Sequence, residues 1–203
     1  KAAATPETLR DLGRTLGRLD RGLLSFGHPG AHHTFDWDLR ETPRARGRLA
    51  AIADPARRAL VERVLDTHDA RVAPALAGFR CGVVHNDPND WNVLVEGPDG
   101  GAVTGLIDFG DALHAPLVVE LAVACAYAML DKTSPLEAAG AVVAGYHAAL
   151  PLDDAEIALL PDLIADRLAI SVSISATRQA KAADNPYLLV SEKPAWDLLA
   201  KLA

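Results

Sequence analysis

Residues 81–111 place polar motifs at the ends of short apolar β segments, and this stretch constrains the fold more than any other part of the chain. Three segments have the length and apolar content of strands: 81–85, 92–96 and 102–108. The run Gly97-Pro-Asp-Gly-Gly101 between the second and the third is typical of a tight turn. The pattern therefore predicts a small β-hairpin inserted among helices.

The sequence on both sides predicts helices. Thr5-Pro6 and Asp54-Pro55 each pair a capping residue with a proline suited to the first helical position, and the second helix should run towards Leu76. Residues 118–130 are apolar nearly all round, which predicts a buried core helix. Further helices are predicted from a capping box at Ser134 to about 150, over 153–160, over 162–182 with a break at 185–187, and from about 194. After Gly110 the chain should turn helical again, so the fold class is α+β and mostly helical.

Composition excludes several classes of protein. With 50% hydrophobic and 23% charged residues the chain can bury a core and is not a disordered segment. A net charge of −7 argues against a general nucleic-acid binder. No apolar run reaches the roughly 18 residues of a membrane helix, and no signal peptide is visible. Cys81 and Cys125 lack metal spacing, so we expect buried, reduced thiols and a cytoplasmic location.

The polar motifs bring three oxygen-bearing side chains to one end of the predicted hairpin. Asn92 opens the first hairpin strand and Asp108 closes the second, so the two should face each other about 5 Å apart. An amide oxygen and a carboxylate can share a hard cation such as Mg²⁺. Asp87 lies on the loop at the same end, where it can receive a proton.

This order, H-x-D-x-x-x-x-N followed by D-F-G, is typical of kinase-type phosphotransferases. In that reading Asp87 orients and deprotonates the attacking hydroxyl, while Asn92 and Asp108 hold metal that bridges the nucleotide phosphates. The alternative is that these are ordinary turn and capping residues. That alternative leaves unexplained why Asp108 ends an apolar strand.

The motifs resemble the aminoglycoside phosphotransferase and choline kinase superfamily, and most closely hydroxylysine-kinase-like phosphotransferases, including domains fused to class III aminotransferases. The likeness is carried by His85-Asn-Asp87 with Asp90-Trp-Asn92-Val-Leu-Val, by residues 105–111, 120–130 and 175–179, and by residues 185–196. It implies a protein-kinase-like C-terminal lobe with Asp87 as catalytic base, Asn92 and Asp108 as metal ligands, and His85 holding the loop. It also implies Mg²⁺, ATP or GTP as donor, and a hydroxyl of a small amine-bearing molecule as acceptor.

One departure from the family is large. No Gly-rich phosphate loop and no Val-Ala-Ile-Lys-like strand precedes residue 80, and Lys1 is the sole lysine before Lys132. We therefore predict that residues 1–203 form the C-terminal lobe alone, and that the nucleotide-binding lobe or fused domains lie elsewhere.

Several other residues allow two interpretations. Asp111 suits a substrate ammonium or the metal, but also an exposed loop. Trp37 and Asp38 suit a substrate amine through cation–π contact and charge, but also plain packing. Arg167 either reaches the site or pairs with Asp162 or Asp166 at the surface. His32-His33 is a loop pair or a metal site, and Glu120 is a charge at a helix start or a functional group.

Three functions remain open from the sequence. The first is the catalytic lobe of a small-molecule kinase that phosphorylates an amino alcohol, a hydroxy-amino acid or an aminoglycoside-like molecule. The second is a non-catalytic kinase-like module within a larger protein. The third, a metal-dependent phosphohydrolase, would need a denser set of metal ligands than the sequence offers.

Overall fold

The chain folds into two compact units. A computed structural model describes residues 4–97, 100–181 and 192–202. The first unit comprises residues 1–33 and 79–160, and the second comprises residues 34–78 and 161–203. Helices dominate both units, and two short antiparallel sheets lie in the first, so the α+β class is confirmed.

Three helices form the core of the first unit: α1 (Pro6–Leu23), α4 (Leu117–Met129) and α5 (Pro135–Ala149). Thr5 caps α1 as expected, since its hydroxyl accepts a hydrogen bond from the Thr8 N–H at 3.1 Å. α4 is buried at every residue but Tyr127, which confirms the predicted core helix. α1 packs along α5 and α4.

Two pairs of strands lie between α1 and α4 in sequence. β2 (Val93–Val95) and β3 (Val103–Leu106) form the predicted hairpin, with Val93 opposite Leu106. β1 (Cys81–Val84) pairs antiparallel with β4 (Leu113–Pro116). The expectation that the chain turns helical directly after Gly110 is therefore wrong. β4 has only four residues, and it is defined by a partner about thirty residues earlier rather than by local pattern.

The second unit is built from helical segments. α2 (Pro55–Thr67) has Asp54 as its predicted cap, and a π-helical turn (His68–Val72) joins it to α3 (Ala73–Leu76). Pro74 has no N–H to donate, which suits a wider turn at this point. Residues Leu39–Ala51 form a 3-10 helical segment, and α7 (Glu192–Leu202) packs against α2.

Four local predictions need correction or lie outside the described residues. α6 (Asp154–Lys181) is one helix that contains Pro161, where two helices were predicted. Ser134 precedes α5 without a side-chain capping bond. Cys81 is exposed, although Cys125 is buried as expected, and neither forms a disulfide. The predicted break at 185–187 falls outside the described residues. No helix within those residues is long and apolar enough to cross a membrane.

Candidate active site

The side chains of Glu120 and His85 both bind the backbone of the loop 85–92. The N–H of Asn86 donates to Oε2 of Glu120 at 2.6 Å, and Asn86 has a φ of 66°, in the left-handed region that Asn tolerates. The His85 ring accepts from the Asp87 N–H at Nδ1 (3.2 Å), so Nε2 carries the proton and donates to the Ile107 carbonyl at 2.9 Å. His85 thus ties the loop to the end of β3.

Three donors converge on the Asp87 carboxylate. The amide nitrogens of Asn89 and Asn92 donate to Oδ2 at 2.7 and 3.2 Å. The hydroxyl of Tyr127, on α4, donates to Oδ1 at 3.1 Å. Asp87 is half-buried, so the carboxylate is held by the protein while part of its surface stays accessible.

Asn92 and Asp108 lie at the same end of the hairpin. The Ile107 N–H donates to the Asn92 carbonyl at 3.0 Å, which extends the ladder by one residue beyond Val93 and Leu106. Asp108 follows directly, so it is displaced by one residue from the position opposite Asn92 that the sequence suggested. It has a φ of 62° and opens the 3-10 turn Phe109–Asp111 by accepting from the Gly110 N–H at 3.2 Å.

The donor chemistry of Asn92 and Asp108 fits a magnesium ion. The Asn92 amide nitrogen donates to both the carbonyl and the carboxylate of Asp87, so the amide oxygen Oδ1 is the atom left for a metal ion. Oδ2 of Asp108 accepts no hydrogen bond from the described residues, and Asp108 is exposed to solvent. Mg²⁺ binds through one or two such oxygens and completes its shell with water and phosphate oxygens. No cluster of three or more His, Cys, Asp or Glu side chains suited to a metal occurs in residues 4–97, 100–181 and 192–202.

The other predicted site residues have identified surroundings. Asp111 is half-buried at the end of the 3-10 turn. In the second unit, the Arg167 guanidinium lies 4.6 Å from the Trp37 ring centroid and donates to the Trp37 carbonyl at 3.2 Å. Arg167 is buried, so the alternative in which it pairs with Asp162 or Asp166 at the surface is wrong. Asp38 is buried and binds the Arg40 guanidinium, with a shortest distance of 2.7 Å. Substrate-binding roles for these four residues stay predictions.

Glu120 lies at a helix start, and His32 and His33 are exposed loop residues, as one of the two interpretations of each predicted. Glu120 lies in the first turn of α4, and its buried carboxylate also binds the 85–92 loop. His32 stacks on His114 with ring centroids 4.7 Å apart, and His33 contacts the Gly30 carbonyl.

Two contributors to the site were not singled out from the sequence, namely Asn89 and Tyr127. Tyr127 falls seven residues after Glu120 on an otherwise apolar helix. A spacing of seven places both polar side chains on one helix face, and that signal was available in the sequence.

Asp20 and Cys125 are two of the buried groups of the first unit whose pKa values are strongly raised. Burial raises the pKa of Asp20 well above its usual range, and the charge of Glu120 raises it further. The hydrogen bond from the Tyr146 hydroxyl at 2.6 Å acts in the opposite direction and lowers this pKa. Burial raises the pKa of the Cys125 thiol to about 12. Cys125 is therefore not a nucleophile near neutral pH.

Comparison with known proteins places the chain in a family. Residues 1–160 match the model of the phosphotransferase enzyme family. The chain belongs to this family. It is 29% identical over 213 residues to a hydroxylysine kinase of Mus musculus, covering 100% of this chain but 57% of the relative.

Solved structures share the fold. A microcompartment-associated aminopropanol kinase superposes with a TM-score of 0.73 at 22% identity, covering 98% of this chain and 63% of that one. An amicoumacin kinase in complex with AMP-PNP, Ca²⁺ and Ami gives a TM-score of 0.62 at 16% identity, covering 100% of this chain and 67% of that one. The likeness to these two structures shows the kinase-like fold, and the chain spans less than two thirds of the mouse relative.

Proposed function

We propose that this chain carries the catalytic machinery of a small-molecule kinase, which transfers the γ-phosphoryl group of a nucleotide to a hydroxyl. The observation that carries the proposal is the convergence of Asn92 on Asp87 at the hairpin end that also holds Asp108. A carboxylate beside two oxygen ligands is the arrangement that phosphoryl transfer requires on the acceptor side.

In this reaction Asp87 accepts the proton of the acceptor hydroxyl. The hydroxyl oxygen then forms the new bond to the γ-phosphorus, and the bond from that phosphorus to the leaving nucleoside diphosphate breaks. Asn92 and Asp108 would hold Mg²⁺, which neutralises the charge of the phosphate oxygens when it is bound. His85 keeps the loop in place through the Ile107 carbonyl.

The acceptor is proposed to be a small molecule that carries both a hydroxyl and an amine. Hydroxylysine and aminopropanol, named for the mouse relative and for one solved structure, share that chemistry. The donor is proposed to be ATP or GTP, and the AMP-PNP-bound neighbour supports a nucleotide with a divalent metal. Since neither cysteine forms a disulfide, a reducing compartment such as the cytoplasm suits the protein.

We further propose that residues outside these 203 supply the remaining contacts to the nucleotide, because the chain spans 57% of the mouse relative. Those residues belong to the same polypeptide or to a partner. Fusion to a class III aminotransferase stays a prediction.

The test is phosphoryl transfer by the polypeptide as its gene encodes it, with MgATP and MgGTP and a panel of amino alcohols and hydroxy-amino acids. Asp87→Asn should lower kcat by at least about a hundredfold, as expected for loss of a general base. Asp90→Asn removes an exposed carboxylate from the same loop and is the matched control. Unchanged activity of Asp87→Asn would refute the base. Failure of the unmodified protein on the whole panel would favour the non-catalytic module.

A further inference from the structure

Tyr127 is the one partly exposed residue of α4, and its hydroxyl contacts the proposed base. We propose that Tyr127 is a positioning residue, and this proposal rests on the proposed function. Tyr127 orients the Asp87 carboxylate so that its Oδ1 receives the proton of the acceptor hydroxyl.

Three of the contacts to Asp87 divide between its two oxygens. Asn89 and Asn92 both donate to Oδ2, whereas Tyr127 donates to Oδ1. A second hydrogen bond shows which end of the Asn89 and Asn92 side-chain amides faces Asp87. The Asn89 oxygen accepts from the Trp91 N–H at 2.7 Å, and the Asn92 nitrogen also faces the Asp87 carbonyl at 2.9 Å. Both amides therefore present nitrogen to Oδ2.

The two kinds of donor differ in what they allow. An amide N–H can only donate, so a proton on Oδ2 would face two groups that are unable to accept it. A hydroxyl both donates and accepts, and the Tyr127 O–H can rotate about its C–O bond. Oδ1 can therefore take up a proton while both amide contacts on Oδ2 remain. This chemistry selects Oδ1 as the reacting oxygen.

The support for Tyr127 is rigid. Tyr127 and Glu120 lie seven residues apart on α4, and they bind consecutive residues of the loop. Glu120 accepts from the Asn86 backbone, and Tyr127 donates to the Asp87 side chain. One face of a buried helix thus holds both the backbone and the carboxylate at the point of reaction.

Tyr127→Phe removes the hydroxyl and keeps the ring. We expect kcat to fall about tenfold, the loss typical of one hydrogen bond to a charged group, with KM for acceptor and nucleotide within about twofold of the original values. In an Asp87→Asn background the same substitution should have no further effect, because Tyr127 acts through Asp87. Tyr146→Phe is the matched control, because it also removes a tyrosine hydroxyl, in this case one that donates to Asp20. It should lower the unfolding free energy, while kcat of the folded protein stays within about twofold of the original value.

Two kinetic results would overturn the proposal: a kcat of Tyr127→Phe within twofold of the original, or an equal loss in the Asp87→Asn background. A crystal structure of Tyr127→Phe decides the question without any activity. The Asp87 carboxylate should rotate away from its present orientation, whereas an unmoved carboxylate with Oδ2 on both amides would refute positioning. If the unmodified protein transfers no phosphate, the proposed function fails and this structural readout still decides the role of Tyr127.

Discussion

The backbone N–H of Asn86 donates to the Glu120 carboxylate at 2.6 Å, and both residues are completely buried. Asn86 has a left-handed backbone conformation, which costs energy for a residue other than glycine. Glu120 therefore holds a strained turn directly before Asp87. The Glu120 charge is also the second cause, after burial, of the raised pKa of Asp20. The folded state therefore favours a neutral Asp20, while Glu120 stays available as the acceptor for the loop.

Glu120 should tolerate loss of its charge but not of its oxygen. Glu120→Gln keeps an acceptor for the Asn86 N–H and removes the repulsion felt by Asp20, so we expect unfolding free energy to be unchanged or higher. Glu120→Ala leaves a buried N–H without its acceptor and opens a cavity, at a cost of about 2–4 kcal/mol. Urea unfolding of the two variants measures the difference. Equal stability of the two would show that the Asn86 contact contributes nothing.

Two glycines should be irreplaceable where α1 crosses α5. A Cβ at Gly13 would lie 1.9 Å from the Val142 carbonyl oxygen, and one at Gly145 would lie 1.8 Å from the Arg10 carbonyl oxygen. Either Gly→Ala change must separate the helices, so we expect a loss of about 3 kcal/mol or more. Gly140 lies on the exposed face of α5 with nothing near its Cβ position, so Gly140→Ala should stabilise by up to about 1 kcal/mol. Thermal unfolding compares the three variants, and a Gly13→Ala protein as stable as Gly140→Ala would contradict the close crossing.

Local signals predicted the helix starts well. Thr5 and Asp54 each bind a backbone N–H two or three residues ahead, and such a bond depends only on nearby sequence. Ser134 shows the limit, because the same residue type precedes α5 without that bond. Pro161 misled the prediction in a similar way, since a proline in a long helix removes one hydrogen bond without ending it.

The parts that the sequence missed depend on residues far apart in the chain. β4 exists because β1 pairs with it, and no local pattern reports that pairing. The motifs did predict that Asn92 and Asp108 lie at one end of a hairpin, although the register is irregular between Leu94 and Val95 and Ile107, not Asp108, lies opposite Asn92. Tyr127 reaches Asp87 across forty residues, so the sequence could indicate that it shares a helix face with Glu120, but the contact itself depends on how α4 packs against the loop.

Asp166 should give the second unit a pH-dependent stability. Burial raises the pKa of Asp166 to about 6. The hydrogen bond to His68 at 2.7 Å lowers this pKa, whereas the charges of Asp162 and Asp69 raise it further. The folded state thus binds the Asp166 proton more tightly than the unfolded state, in which the pKa of an aspartate is near 3.9. The stabilisation is complete below about pH 4 and is lost as pH rises to about 6.

The loss should be on the order of 3 kcal/mol and should be absent from Asp166→Asn. Urea unfolding at pH 4 and pH 7 gives the difference between the two proteins at each pH. Glu62→Gln, which removes an exposed carboxylate from α2, is the control for general charge effects. A stability difference between Asp166→Asn and the original protein that does not vary with pH would contradict the assignment.

Asp108→Asn should separate metal binding from backbone geometry. Asn tolerates the left-handed conformation at φ 62° and still accepts from the Gly110 N–H, so the turn should survive while the anionic ligand is lost. If Asp108 holds the metal, the Mg²⁺ concentration for half-maximal transfer should rise at least about tenfold, because a hard cation loses its charged oxygen ligand. EDTA should abolish transfer reversibly. Asp131→Asn makes the same change at an exposed residue with a φ of 57° and should leave the Mg²⁺ dependence unaltered. If Asp108→Asn has the same Mg²⁺ midpoint as Asp131→Asn and the original protein, Asp108 is not a metal ligand, because loss of a charged ligand must weaken Mg²⁺ binding.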